Sequence, residues 1–327
     1  MESTKKNIVV TGGLGFIGSN LVKQITESNQ INQIYVIDKI TSQNNSKNLN
    51  YIHDKRISYI PYETYHNERE IIDLLGEVHF IFHLGAIAST DPQISKIEIE
   101  NANYKDVQNF LKIAHDFRIQ MIVASSFAVY GNQPFVHNNY SPKPINNYGE
   151  SKHQLENFLM KLDSPNFVAL RFTNVFGDGE SHKKNMASLP YNMFSEAKHT
   201  NNINCFYVEE DGVKKFANRD FILVNDLVLV LIEMMNCDEI YGANIFDLGS
   251  GKSLDTREMA KLVKDSLPDL DIQIREVPAP SSTGYQLYSN AKMDVFDLYK
   301  TLTRPTDPTE SIKKYLFNLA NSFKLEN

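Results

Sequence analysis

The chain predicts an α/β fold, a doubly wound parallel sheet followed by a smaller C-terminal α/β lobe. Three observations carry this. Short apolar strands alternate with helical stretches through the first half of the sequence. A glycine cluster, Gly12, Gly15 and Gly18, joins the first strand to the first helix. An acid, Asp38, ends the second strand at the distance where a dinucleotide site needs one.

The segment from Asn7 to Gln24 reads as strand, tight turn and amphipathic helix, with Ile8-Val9-Val10 as the apolar run. Gly12 allows the turn, Gly15 lets backbone approach phosphates, and Gly18 lets the helix pack close on the strand. The free N–H groups and the positive helix end then face a pyrophosphate. Asp38 follows the second strand, Gln33-Ile34-Tyr35-Val36-Ile37, and suits an adenosine ribose. A glycine-rich hairpin would not need Asp38 there. Together these features specify a Rossmann-type doubly wound parallel sheet.

The elements that follow keep the rhythm. Ile57 to Ile60 is a third strand, Glu68 to Leu75 a short helix and Val78 to His83 a fourth, nearly continuous apolar strand. Ile94 to Phe117 is helical, Gln120 to Ala124 a fifth strand, Tyr148 to Leu162 helical and Phe167 to Phe172 a sixth strand. Alternation of this kind implies right-handed crossovers, with ligands at the carboxyl ends of the strands. The rhythm breaks after Asn174. Met186 to Lys198 reads as a helix and Ile203 to Val208 as a strand. Phe221 to Val224, the helix Asp226 to Met235 and Asn244 to Leu248 read as a return to the first domain. The expected organisation is therefore a dinucleotide-binding domain over 1–173 plus about 221–250, with a substrate lobe over 174–220 and 251–327.

The chain has 327 residues, 42% of them hydrophobic, enough for a real core. Its net charge of −7, with both signs dispersed, argues against a nucleic-acid binder, which shows a basic face. No secretory apolar segment precedes the first strand and no apolar run is long enough for a bilayer. Cys205 and Cys237 are too few and too separate for a disulfide framework. A cytoplasmic protein without a membrane partner is the expectation. The nine histidines show no metal-binding spacing, and no metal is expected. His83, inside a buried strand, reads as a core residue.

Tyr148 and Lys152 lie four apart at a helix start, so they share one face. A phenol of pKa about 10 is a poor base at neutral pH. A nearby ammonium favours the phenolate, and such a pair can take a hydroxyl proton while hydride leaves the same carbon. At the end of the fifth strand, Ser126 reads as a hydrogen-bond partner for a substrate oxygen and Ser125 as structural. Arg219 suits a pyrophosphate because guanidinium grips phosphate oxygens in pairs; an ion pair with Asp220 is the plainer alternative. Ser89 and Thr90, just past the fourth strand, suit sugar hydroxyls, and Tyr285 suits either the substrate pocket or the core.

The residues also carry a family resemblance. TGGLGFIGSN at 11–20, HLGA at 83–86, ASSFAVYG at 124–131, YGESK at 148–152, RFTNVFG at 171–177 and RDF at 219–221 resemble the extended short-chain dehydrogenase/reductases, nucleotide-sugar branch. The resemblance implies Ser126, Tyr148 and Lys152 as the catalytic serine, tyrosine and lysine. By position it implies a cofactor site formed by Gly12, Gly15, Phe16, Ile17, Gly18, Asp38, Lys39, Leu84 and Ala86, joined by Tyr148 and Lys152. Asn174, in the NVFG motif, is implied as a ligand anchor.

Within the branch, ESHKKNMAS at 180–188 resembles the ADP-glycero-manno-heptose 6-epimerases, as do GAIAST at 85–90, FANRDF at 216–221 and GYQLYSNAKMD at 284–294. This implies Lys183 as a second acid/base facing Tyr148 across the substrate, with His182 as a loop contact. Tyr148 or Lys183 deprotonates the C6 hydroxyl, the 6-keto sugar presents its other face, and the opposite residue supplies the proton on return. Lys184 beside Lys183 leaves open which lysine faces the ligand. Gly284, Asp178-Gly179, Phe127 and the loop expected over Glu209 to Lys215 depart from that pattern. Asp38 favours NAD; Lys39 and Lys47 offset it and the resemblance leans to NADP, so NADP or NAD stands. The implied partners are a nucleotide-diphosphate sugar and further copies of the chain in a homo-oligomer, and the implied product serves lipopolysaccharide biosynthesis. The alternatives are a 4-epimerase, a heptose dehydrogenase or, more distantly, a non-catalytic NAD-binding regulator.

Overall fold

Strand β1 (Lys6–Thr11) shows why the core forms as it does: successive side chains point to opposite faces, and both faces are apolar. Ile8 and Val10 enter one buried cluster and Val9 the other. The computed structural model describes residues 5–39, 54–89, 93–133, 141–279 and 285–326, without the side chains of 323–326.

Seven parallel strands form the central sheet: β1, β2 (Ile31–Asp38), β3 (Ile57–Pro61), β4 (Phe80–His83), β5 (Gln120–Ser126), β6 (Phe167–Phe172) and β11 (Asn244–Leu248). Their order is 11-6-5-4-1-2-3, so the chain reverses direction across the sheet between β1 and β4. Helices α1 (Phe16–Ile25), α2 (Glu68–Leu75), α3 (Gln108–Asp116) and α4 (Asn147–Leu162) cover the two faces with α6 (Val224–Met234). The α1 and α6 side chains pack against Phe80, Phe82 and Leu170, whereas α2, α3 and α4 pack against Ile81, Met121 and Ala169.

Two three-stranded sheets lie outside the central one and share a buried cluster of their own. In one, β10 (Asn218–Leu223) lies between β7 (Asn174–Phe176) and β12 (Ser253–Asp255). In the other, β8 (Asn202–Glu210) lies between β9 (Val213–Phe216) and β13 (Gln273–Pro278). Helices α5 (Leu189–Thr200), α7 (Thr256–Ser266) and α8 (Pro308–Glu326) close over them, burying Phe194, Met259 and Leu316 with Phe176 and Phe221.

Four sequence expectations differ in detail. The helix expected over 94–117 is interrupted: Lys96–Glu100 is α-helical, Asn101–Lys105 forms a π turn, and α3 follows. The extra residue turns Asn103 inward, where its amide bonds Ile87 N at 2.7 Å, Ile87 O at 3.2 Å and Ser151 Oγ at 3.0 Å. The helix expected from Met186 starts at Leu189, because Ser188 caps it and Pro190 suits its first turn. The Phe221–Val224 strand joins the small sheet, while α6 and β11 pack on the central one. Glu209 to Lys215 is not a loop but the end of the β8–β9 hairpin, turned at Asp211-Gly212 with both residues at positive φ. Among the described residues no helix is long and apolar enough to cross a membrane.

Candidate active site

At the switch between β1 and β4, the carboxyl ends of the strands open into a cleft of about 740 Å³. Gly12, Gly15, Phe16, Ile17, Gly18, Asp38, Lys39, Leu84, Ala86, Ser89, His182 and Lys183 all line it.

The glycines sit where side chains would not fit or would crowd the backbone. Gly12 sits at φ +68°, and a Cβ there would lie 2.7 Å from the backbone of Gly85. A Cβ on Gly18 would lie 2.1 Å from Gly12 O, so only glycine lets α1 start this close. At Gly15 the nearest atom to a Cβ is Gly12 O at 3.2 Å, leaving room for a ligand to approach the backbone. Gly15 caps α1 without a side-chain bond, so the first N–H groups of α1 remain free to meet an anion. The Asp38 carboxylate does two jobs. It accepts from Leu14 N and Lys39 N, both at 2.7 Å, which ties the glycine turn to β2, and it stands in the cleft wall. Burial raises its pKa, against the pull of those N–H groups. These residues fit a nicotinamide dinucleotide: open N–H groups for a pyrophosphate and an acid for a ribose diol.

Beside this cleft, β5 ends at Ser126 and α4 begins at Asn147. Asn146 caps α4 by accepting from Gly149 N at 2.8 Å. Gly149 lets α4 press onto the turn after β5, where a Cβ would lie 2.6 Å from Ala128 O. That close approach sets Tyr148 by Ser126. Burial raises the pKa of the Tyr148 phenol and the Ser126 hydroxyl pulls it down. Lys152, 2% exposed, donates to Ala124 O at 2.8 Å. Burial lowers its pKa to about 8, with Glu156 pulling the other way. Lys152 thus spends one of its three N–H donors on the β5 backbone, and Ser126 is the side chain that hydrogen-bonds the Tyr148 phenol.

A buried polar network supports this side. Arg171 on β6 makes two bonds to Glu156 on α4, Nε to Oε1 at 2.8 Å and Nη2 to Oε2 at 2.7 Å. It also donates to Tyr130 Oη at 2.5 Å, and Tyr130 donates to Asp247 at 2.9 Å. Ser125 donates to Glu156 at 2.5 Å, the structural role read for it. The sequence reading missed this network. Its signal was an arginine inside an otherwise apolar strand and a glutamate one helical turn after Lys152.

The segment between β7 and α5 joins the cleft lining through His182, Lys183 and Met186. Lys183 lies half-buried in the cleft wall, its ammonium 5.4 Å from the centre of the Phe16 ring. Burial lowers its pKa and Glu180 raises it. Lys184 is exposed and at φ +51°, so the backbone separates the two lysines. His182 bonds Gly179 O at 2.8 Å, and Ser89 contacts the Met186 sulfur at 3.6 Å.

The other expected residues sit apart from that cleft lining. Arg219 donates from Nε to Gln286 O at 2.8 Å, with a second donation from Nη2 to the same oxygen, and lies 4.8 Å over the Tyr285 ring. Gln286 in turn donates to Phe127 O and Gly131 O, which brings the Arg219 region to the turn after Ser126. The ion-pair alternative for Arg219 fails, because Asp220 accepts instead from Ser250, Gly251 and Ala291. Asn174 donates both amide hydrogens to the scaffold, to Asp220 O and Ser289 Oγ. His83 is a core residue as expected, bonded to Thr11 Oγ1 at 2.9 Å. Thr90, Lys47 and Gly284 lie outside the described residues.

The model of the NAD dependent epimerase/dehydratase family matches residues 8–249. An ADP-L-glycero-D-manno-heptose-6-epimerase of Brachyspira hyodysenteriae is 33% identical over 302 residues, covering 88% of this chain and 89% of that protein. The crystal structure of the Helicobacter pylori ADP-L-glycero-D-manno-heptose-6-epimerase superposes with a TM-score of 0.78 at 25% identity, covering 98% of both chains. A UDP-N-acetylglucosamine 4-epimerase from Methanobrevibacter ruminantium M1 shares the fold at TM-score 0.82 and 24% identity, covering 99% of this chain and 100% of that one.

Proposed function

The chain belongs to the NAD dependent epimerase/dehydratase family, and on that premise we propose that it is an ADP-glycero-manno-heptose 6-epimerase. It is an NAD-dependent nucleotide-sugar epimerase; the sugar and the nucleotide are the proposed part. The non-catalytic regulator is set aside accordingly. The observation that carries the finer reading is Lys183 turned into the cleft while Lys184 faces solvent. The 33% identity to a protein named for that activity supports it.

The first N–H groups of α1 would hold the cofactor pyrophosphate and Asp38 the adenosine ribose, where its charge disfavours a 2′-phosphate. A bound nicotinamide supplies a hydride acceptor and then a hydride donor. Ser126 and Tyr148 hold one side of the sugar carbinol, and Lys183 the other. One of the two side chains takes the hydroxyl proton as the carbon becomes a ketone. After the exocyclic carbon has turned its other face, the opposite side chain returns a proton to the oxygen. Inversion therefore needs proton handling on two sides. Arg219 and Tyr285 are proposed for the nucleotide end, with Ser89 and His182 along the sugar.

Incubation with ADP-D-glycero-D-manno-heptose is expected to yield the L-glycero epimer with no net reduced cofactor. Steady accumulation of reduced cofactor would establish a heptose dehydrogenase instead. Lys183→Met is expected to lower epimerisation about 100-fold, the scale of one proton-transfer group, with Lys184→Met within about twofold of the parent. Equal effects of the two substitutions would sink the assignment.

A further inference from the structure

We infer that Glu180 is the positioning residue of the Lys183 side, a buried carboxylate clasp that sets the ammonium over the cleft. The inference rests on the reading of Lys183 as the second proton-handling group. Glu180 is 1% exposed, on a segment whose other residues are largely exposed. Its Oε1 accepts from Gly177 N at 3.0 Å, Ser188 Oγ at 2.8 Å and Tyr315 Oη at 2.9 Å; its Oε2 accepts from Ser188 N at 2.5 Å.

Gly177 ends the strand side and Ser188 caps α5, so one carboxylate joins the two bases of the segment that carries Lys183. Tyr315 brings in α8, tying the segment to the core of the small lobe. A second tether runs the other way: Asn20 on α1 donates to Asp178 O at 3.0 Å and to Phe16 O at 2.9 Å. The segment thus spans from the cofactor helix, whose Phe16 ring lies under Lys183, to the substrate lobe. A buried carboxylate with hydrogen-bond donors on both oxygens is a specific anchor, because an amide in its place would turn an N–H onto another N–H. The same charge opposes the loss of the Lys183 proton that burial favours.

The test uses the holoenzyme and each of the two C6 epimers separately, following the transient reduction of bound cofactor on rapid mixing. Glu180→Gln is expected to slow oxidation of the epimer handled by Lys183 about tenfold or more, while the epimer handled by Tyr148 reacts within about twofold of the parent. Hydrogen exchange on the cofactor-free protein is expected to quicken in 178–187 and not in the central sheet. If Glu180→Gln fails to fold, Tyr315→Phe removes one donor, keeps the ring, and carries the same one-sided slowing at about fivefold. Equal slowing of both epimers, or parent-like rates in a folded Glu180→Gln while Lys183→Met is one-sidedly slow, overturns the clasp. Parent-like rates in Lys183→Met overturn the two-sided reading itself, and the clasp with it.

Discussion

The two sides of the proposed reaction are built in opposite ways. Ser126, Tyr148 and Lys152 stand on β5 and α4, against the core of the central sheet, and a buried network of Glu156, Arg171, Tyr130 and Asp247 lies beneath them. Lys183 stands on a short 3-10 segment with no buried residue within Ser181–Met186. The first side is held by many contacts shared with the fold itself. The second is held by a few hydrogen bonds converging on one carboxylate and by a contact with Phe16. A proton-handling group can therefore be positioned by the core or by a clasp, and the two modes fail differently.

The widest separation is expected from Tyr148→Phe. Loss of the hydroxyl should lower epimerisation about 1,000-fold, for both epimers, with thermal unfolding nearly unchanged. A variant that kept activity within tenfold would remove Tyr148 from the chemistry and the comparison with it.

Arg171→Met attacks the support instead. It leaves Glu156, whose side chain is 3% exposed, as a buried charge without its partner. The expected cost is about 3–5 kcal/mol of global stability in a denaturant titration. A loss under about 1 kcal/mol would show that the first side does not depend on its network.

The smallest effect lies in pH. Lys152 is held at about 8 by burial, so its ammonium is present below that pH and lost above it. On the alkaline side kcat/KM is expected to fall about tenfold per pH unit, and Lys152→Arg should lack that limb at a lower plateau, because guanidinium keeps its proton there. A limb unchanged in Lys152→Arg would assign it to another group.

Much of this was legible before any coordinates. The Ile8–Val10 run and the three glycines lie within a few residues of one another, and Asp38 ends the next strand, beside the glycine turn it bonds. Tyr148 and Lys152 were legible for the same reason, four apart on one helix. The π turn at Asn101–Lys105 was not, because the register of α3 is set by Asn103 reaching Ile87 and Ser151, neither of them adjacent in sequence. The hairpin at Glu209–Val213 was read as a loop because its surface is polar on both strands.

By itself the sequence determined the parallel sheet, the glycine turn, the acid after β2 and the order of the chemical motifs. These rest on backbone geometry and side-chain period, which act over a few residues. Tertiary structure alone decided that Lys183 and not Lys184 turns inward, that Lys152 bonds Ala124 O rather than the phenol, that β10 leaves the central sheet, and that Tyr315, 135 residues away, completes the cradle around Glu180. Such choices depend on which distant groups packing brings within hydrogen-bond reach of a buried charge, and no local pattern carries that information.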